Sequence, residues 1–237
     1  MRKLYSLDTI NCEFPNPCDA ARDGLIAFGG DLSPRRLISA YSQGIFPWYS
    51  PGEPILWWSP DPRLILFPHK LNVSKSLRKR IRKKNFHVTM DCAFESVIQE
   101  CANIRVENGT GTWITEEMIQ AYMELYDLGF AHSVETWFDN ELAGGLYGVS
   151  LGHAFFGESM FFRKTDASKI AMVALTAFVK TFDFDFIDCQ LSTSHLVSMG
   201  AEDISRGAFL ELLGQSLQHE SLRGRWVFDD QITKGFP

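Results

Sequence analysis

The chain has 237 residues, enough for one large domain or a small domain beside a medium one. Its composition, 45% hydrophobic and 22% charged, suits a globular protein with a core; it has no run of eighteen apolar residues and no apolar signal stretch at the N-terminus, so a cytosolic protein without membrane association is expected. A net charge of −6 argues against general nucleic-acid binding, and five Cys with no CxxC pair argue against a zinc site or a disulfide framework.

Ser33 and Pro34 read as the N-cap and first residue of a helix that ends near Gly44, with Leu37, Ile38 and Tyr41 on its apolar face. Residues 45–63, IFPWYSPGEPILWWSPDPR, hold three Trp, a Phe, a Tyr and five Pro in nineteen positions. Proline excludes a long helix there, so the segment reads as an aromatic loop or edge structure closing a small N-terminal unit, residues 1–62. Residues 64–67 form a short strand. Ser74 then caps a helix whose apolar stripe is only Val73, Leu77 and Ile81. Residues 62–90 contain no Asp or Glu, yet hold Arg63, Lys70, Lys75, Arg78, Lys79, Arg80, Arg82, Lys83 and Lys84. A basic patch on an acidic protein suggests a polyanion held at one place; the plain alternative is a solvated charged face.

A strand is expected at 86–90, and Asp91 is expected to cap a helix with Phe94, Val97, Ile98 and Cys101 inward. Thr115 caps the next helix, with Glu116 and Glu117 in the first turn where the helix dipole favours them. Met118, Ile119, Tyr122 and Leu125 form its stripe, and Gly129 ends it. Strands follow at 132–138, 142–150 and 153–162, with Asp139-Asn140 and Gly152 supplying turns. A helix at 166–180, a strand at 184–190, a helix near 207–218 and a strand at 226–228 complete the chain.

The apolar run FDFIDCQ ends with a carboxylate and a carboxamide two residues apart, Asp188 and Gln190. Strand alternation puts both on one face and points Cys189 away as a core thiol. They are either two polar residues satisfied at a strand end or a pair acting together. Trp48 and Trp113 are either packing residues or stacking platforms, Trp57 and Trp58 are read as packing residues, and His195 is read as structural. The six His form no HExxH and no GxSxG pairing. A P-loop and a dinucleotide fingerprint are absent as well, and FFRKTDASK lacks the glycines of a CoA pyrophosphate loop.

Several blocks, in this order, resemble the leucyl/phenylalanyl-tRNA–protein transferase family: GDLSP (30–34), the aromatic 45–63 segment, GTWIT (111–115), GGLYGV (144–149), FFGESMF (155–161), ASK (167–169) and IDCQ (187–190). The likeness covers roughly residues 24–206. It implies an α+β fold with a GNAT-like acyltransferase domain, residues 63–237, built on a mixed, largely antiparallel sheet. It also implies that Leu or Phe, less often Met, moves from aminoacyl-tRNA to the N-terminal α-amine of proteins beginning with Arg or Lys, in an N-degron degradation pathway. By the resemblance Asp188, Gln190 and Glu158 are catalytic, with Asp188 orienting and polarising Gln190. Glu158 and Phe155 can then share one site only across a bulge, for which Gly157 is the natural place. Leu146, Phe155, Leu175 and Val179 would form the aminoacyl pocket, where family members often carry Met at position 146 and Phe at 175. Trp48 and Trp113 would stack on the terminal adenine, and Lys75, Arg78, Lys79, Arg80, Arg82, Lys83 and Lys84 would follow the tRNA backbone. No metal, ATP or CoA is expected, and the state expected is a monomer. The rivals are a CoA-dependent acetyltransferase and a non-catalytic RNA-binding module.

Overall fold

The computed structural model describes residues 4–21, 23–83, 85–109, 111–229, 232 and 236. Two sheets carry it. The smaller is built from β1 (Tyr5–Leu7), β2 (Leu25–Gly29), β3 (Phe46–Pro47) and β4 (Leu56–Trp58), in the order β1-β2-β4-β3. Helix α1 (Pro34–Ser42) stands between β2 and β3. Pro34 opens it as expected, but the Ser33 hydroxyl makes no capping bond; Asp31 accepts the Ser33 N–H instead, at 2.8 Å. The aromatic segment is thus two short strands, and Trp57 is fully buried among them.

The larger sheet begins with β5 (Arg63–Leu66). Helix α2 (Lys75–Arg82) is capped by Ser74, which accepts from the Leu77 N–H. Then come β6 (Phe86–Met90), α3 (Phe94–Glu107) and α4 (Glu116–Asp127), the last capped by Thr115 through the Met118 N–H. Strands β7 (Ala131–Phe138), β8 (Glu141–Leu151) and β9 (Ala154–Phe162) extend the antiparallel meander. Asp139 and Asn140 both have positive φ, the geometry a two-residue hairpin turn needs. Helix α5 (Ala167–Thr181) crosses to β10 (Phe186–Gln190), and α6 (Ser194–Ser198), β11 (Glu202–Ile204) and α7 (Arg206–Ser216) follow. The order is β11-β5-β10-β9-β8-β7-β6, with β10 and β9 parallel and the other neighbours antiparallel. No helix among the described residues is long and apolar enough to cross a membrane.

Two further local expectations fail. Asp91 does not cap α3, whose N-cap is Ala93. Its carboxylate instead accepts from the Ser133 and Trp226 backbone N–H groups and pairs with His132 Nδ1, at 2.8, 2.7 and 2.8 Å. The 226–228 segment is not a strand: Trp226 is buried, its ring stacked 3.7 Å from that of His132. Asp91 is claimed by long-range donors that no local pattern displays.

Where β8 faces β9, Gly148 has no room for a side chain. A Cβ there would lie 2.2 Å from the Phe156 carbonyl oxygen and 2.6 Å from the Phe155 ring. Gly148→Ala is therefore expected to cost about 1–3 kcal/mol, as overpacked sites do. Urea unfolding checks this; an unchanged midpoint would mean that the β8–β9 contact yields freely.

Candidate active site

The parallel ladder between β9 and β10 ends at Phe156 opposite Asp188. Beyond that point both strands leave regular geometry. On β9, Gly157 faces Gly148 and Ser159 faces Tyr147, so Glu158 is the extra residue of a bulge, next to Gly157, where the family resemblance called for one. On β10, the register to β5 skips Cys189 and Gln190 takes φ +62°. The parting strands open a cleft of about 430 Å³. Leu146, Phe155, Met160, Met172, Leu175 and Ile187 form its apolar wall; Glu158 and Gln190 face it, and Trp48 and Trp113 also line it. Phe46, Pro47 and Trp48 come from the small sheet, so both sheets build the cleft.

Glu158 is 8% exposed, with neutral donors around its carboxylate. Oε1 accepts from the Tyr41 hydroxyl at 2.7 Å and from Gln190 Nε2 at 2.8 Å; Oε2 accepts from the Tyr122 hydroxyl at 2.9 Å. The Tyr41 and Tyr122 oxygens also lie against each other; each hydroxyl has one proton, so while both donate to Glu158 neither donates to the other. Burial pushes the Glu158 carboxyl up to about 7, against the pull of the three hydrogen bonds. The carboxylate takes the Gln190 amide N–H, so the carboxamide oxygen is left for a donor in the cleft.

Asp188 lies behind this site, fully buried and outside the cleft lining. Arg63 donates to both its oxygens, Nε to Oδ1 at 2.8 Å and Nη2 to Oδ2 at 2.7 Å. Oδ1 also accepts the Gln190 backbone N–H at 2.9 Å.

Comparison with known proteins decides which family holds this arrangement. Residues 65–214 match the model of the leucyl/phenylalanyl-tRNA protein transferases, and residues 30–61 match that of their N-terminal domain. The chain belongs to the leucyl/phenylalanyl-tRNA–protein transferase family. Curated members include one from Desulfatibacillum aliphaticivorans, 56% identical over 96% of this chain and 97% of its own length. Another, from Legionella pneumophila (strain Corby), is 53% identical over 92% of this chain and 98% of its own. Among solved structures, L-PGS from Bacillus licheniformis aligns over 86% of this chain and 67% of that one at 11% identity, with a TM-score of 0.40, too slight a likeness to argue from.

Against this family's pattern, the structure brings Glu158, Gln190, Leu146, Phe155, Leu175, Trp48 and Trp113 to one cleft. Val179 does not reach it and is core of α5. Asp188 and Gln190 do not share a face: the left-handed turn at Gln190 breaks alternation, and Asp188 meets the Gln190 backbone, not the carboxamide. Cys189 reaches the cleft on the same strand face as Ile187, and there burial and then the Asp188 charge push its thiol up, away from thiolate chemistry. His195 also lines the cleft, its ring pushed down by burial and by Lys169. Arg63, grouped by sequence with the basic run, is 1% exposed and committed to Asp188. Tyr41 and Tyr122 read in sequence as apolar stripe residues; the signal for their role is that each stripe ends in a hydroxyl that burial forces to find a partner.

The basic helix α2 stands outside the cleft lining, with Arg80 paired to Asp166 at 2.8 Å. Asp166 also holds Lys169 at 3.4 Å, and Lys169 bears on His195 at the cleft, so α2 is linked to the cleft edge through α5. Lys84 lies outside the described residues. Among the described residues, His153, Asp185 and His219 have metal-ligand chemistry within 4.8 Å of one another. Their imidazoles are stacked 3.8 Å apart and nearly parallel, so the ring lone pairs do not converge on a metal.

Glu158 makes stability depend on pH. Its folded pKa of about 7 lies above the ordinary 4.5, so between those values the folded state keeps a proton that the unfolded state has lost. The protonated form's contribution is complete below about pH 4.5 and is lost as pH rises through 7, about 3 kcal/mol in all. Glu158→Gln, neutral throughout, should lack this decline. Urea unfolding from pH 4.5 to 8 tests it, and parallel profiles for the two proteins would contradict the assignment.

Proposed function

We propose that this protein transfers Leu or Phe, less often Met, from aminoacyl-tRNA to the N-terminal α-amine of proteins beginning with Arg or Lys, marking them for N-degron degradation. It would do so in the cytoplasm, as a monomer, on a GNAT-like domain of residues 63–237 joined to a smaller domain of residues 1–62. The observation that carries this reading is a buried carboxylate and an oriented carboxamide at one side of an apolar cleft rimmed by two Trp, in a chain of this family.

The apolar wall receives the Leu or Phe side chain. A wall of this kind separates such side chains by only about 1–3 kcal/mol per methylene, which fits a dual preference. Trp48, 40% exposed, and Trp113 offer faces to the terminal adenine, worth about 1–3 kcal/mol per stacked base. The acceptor's amine, with an ordinary pKa of about 8, must be neutral to attack. Glu158, near 7, is matched to take the ammonium proton, and its charge favours a cationic N-terminus. The Gln190 carboxamide oxygen holds the neutral amine against the ester carbonyl. As the C–N bond forms, the ester C–O bond breaks and the ribose hydroxyl leaves with a proton. The ester supplies the driving force, so neither ATP nor CoA is consumed.

Labelled Leu-tRNA is incubated with two peptides that differ only in an N-terminal Arg or Ala. Label is expected on the Arg peptide alone, and Gln190→Ala should lower turnover about a hundredfold through lost positioning. Salt-sensitive tRNA binding without transfer would favour the binding module instead. Neutralising Lys79 and Arg82 together should weaken tRNA binding and flatten its dependence on salt by about 0.7–0.9 for each phosphate no longer neutralised. An unchanged slope in a salt titration would remove α2 from the tRNA path.

A further inference from the structure

We infer that Arg63 is a positioning residue for the transfer reaction, and that Asp188 acts as the other half of a buried lock that sets the backbone of Gln190. This rests on the reading of the cleft as the site of aminoacyl transfer. In this inference Asp188 neither takes a proton from the substrate nor polarises the Gln190 carboxamide.

Three observations carry it. First, Asp188 has no path to the substrate: it is fully buried, absent from the cleft lining, and its oxygens are engaged by Arg63 and by the Gln190 N–H. Second, Gln190 sits at φ +62°, a conformation a non-glycine residue holds only when its surroundings impose it. The Asp188 Oδ1 bond to its N–H is the contact that imposes it, and the turn aims the carboxamide at Glu158 on the neighbouring strand. Third, Arg63 is itself held. Its guanidinium lies 4.8 Å from the Phe46 ring and 4.5 Å from that of Phe209, and Nη1 donates to the Gly44 carbonyl at 3.3 Å. Phe46 lines the cleft, so one planar cation sets the strand that bears Gln190 and touches the small sheet's contribution to the wall.

The test is a double-mutant cycle on the full chain, reading kcat, KM for Leu-tRNA and thermal unfolding. Arg63→Met leaves Asp188 buried without its cation; Asp188→Asn leaves Arg63 without its anion but keeps an oxygen for the Gln190 N–H. Each single change should lower Tm, and Arg63→Met should lower kcat about a hundredfold with KM for tRNA little changed. Arg63→Met/Asp188→Asn should regain at least about tenfold in kcat and part of the lost Tm, since no unpaired charge remains. A double variant no more active than Arg63→Met, with its Tm restored, would show that the Asp188 charge is needed for the chemistry itself and overturn the lock. A Tm that does not recover would overturn it too. If the wild type transfers nothing, the proposed reaction fails, while the Tm cycle still tests the lock.

Discussion

A pair of parallel strands that stops pairing halfway leaves backbone donors and acceptors that must find other partners. That constraint shapes the whole site. β9 meets it with a bulge at Glu158, and β10 with a left-handed residue whose N–H goes to a side-chain carboxylate. The gap so formed is the cleft, and the residues that open it are those that face it. Separation of the strands and presentation of Glu158 and Gln190 are therefore one structural event.

The two buried acids next to this gap have different partners. Asp188 is neutralised by a guanidinium in fork geometry, which serves order. Glu158 takes hydrogen bonds from two phenols and a carboxamide, Asp188 adds a like charge, and Arg105 lines the same cleft. Burial makes the Glu158 charge costly, and a positive charge placed beside it would lower that cost. Binding of a cation and ionisation of Glu158 favour one another by linkage.

Parts of this were legible in the chain. The clash between alternation and a shared site for Phe155 and Glu158 located the bulge beside Gly157, and Ser74 and Thr115 cap where their hydroxyls predict. Other parts depend on partners far away in sequence. Nothing near Arg63 shows that its charge will be buried against a carboxylate 125 residues on. The helical period turns Tyr41 and Tyr122 inward but does not say that their hydroxyls meet at one acid. Val179 shares its inward helix face with Leu175, yet one more turn carries it past the end of the cleft. At Gln190 a period-two rule failed because one residue left the extended region, which put Gln190 in the cleft with Ile187 and Cys189 and left Asp188 on the other face.

The apolar wall contains two thioethers, Met160 and Met172. Unbranched and polarisable, they can reshape around either a branched or an aromatic side chain. The same sulfurs give the wall an oxidative liability. Conversion of either to the sulfoxide would place a polar oxygen, on a now stereogenic sulfur, in an otherwise apolar wall. The plasticity of this wall and its sensitivity to peroxide thus arise from the same two atoms.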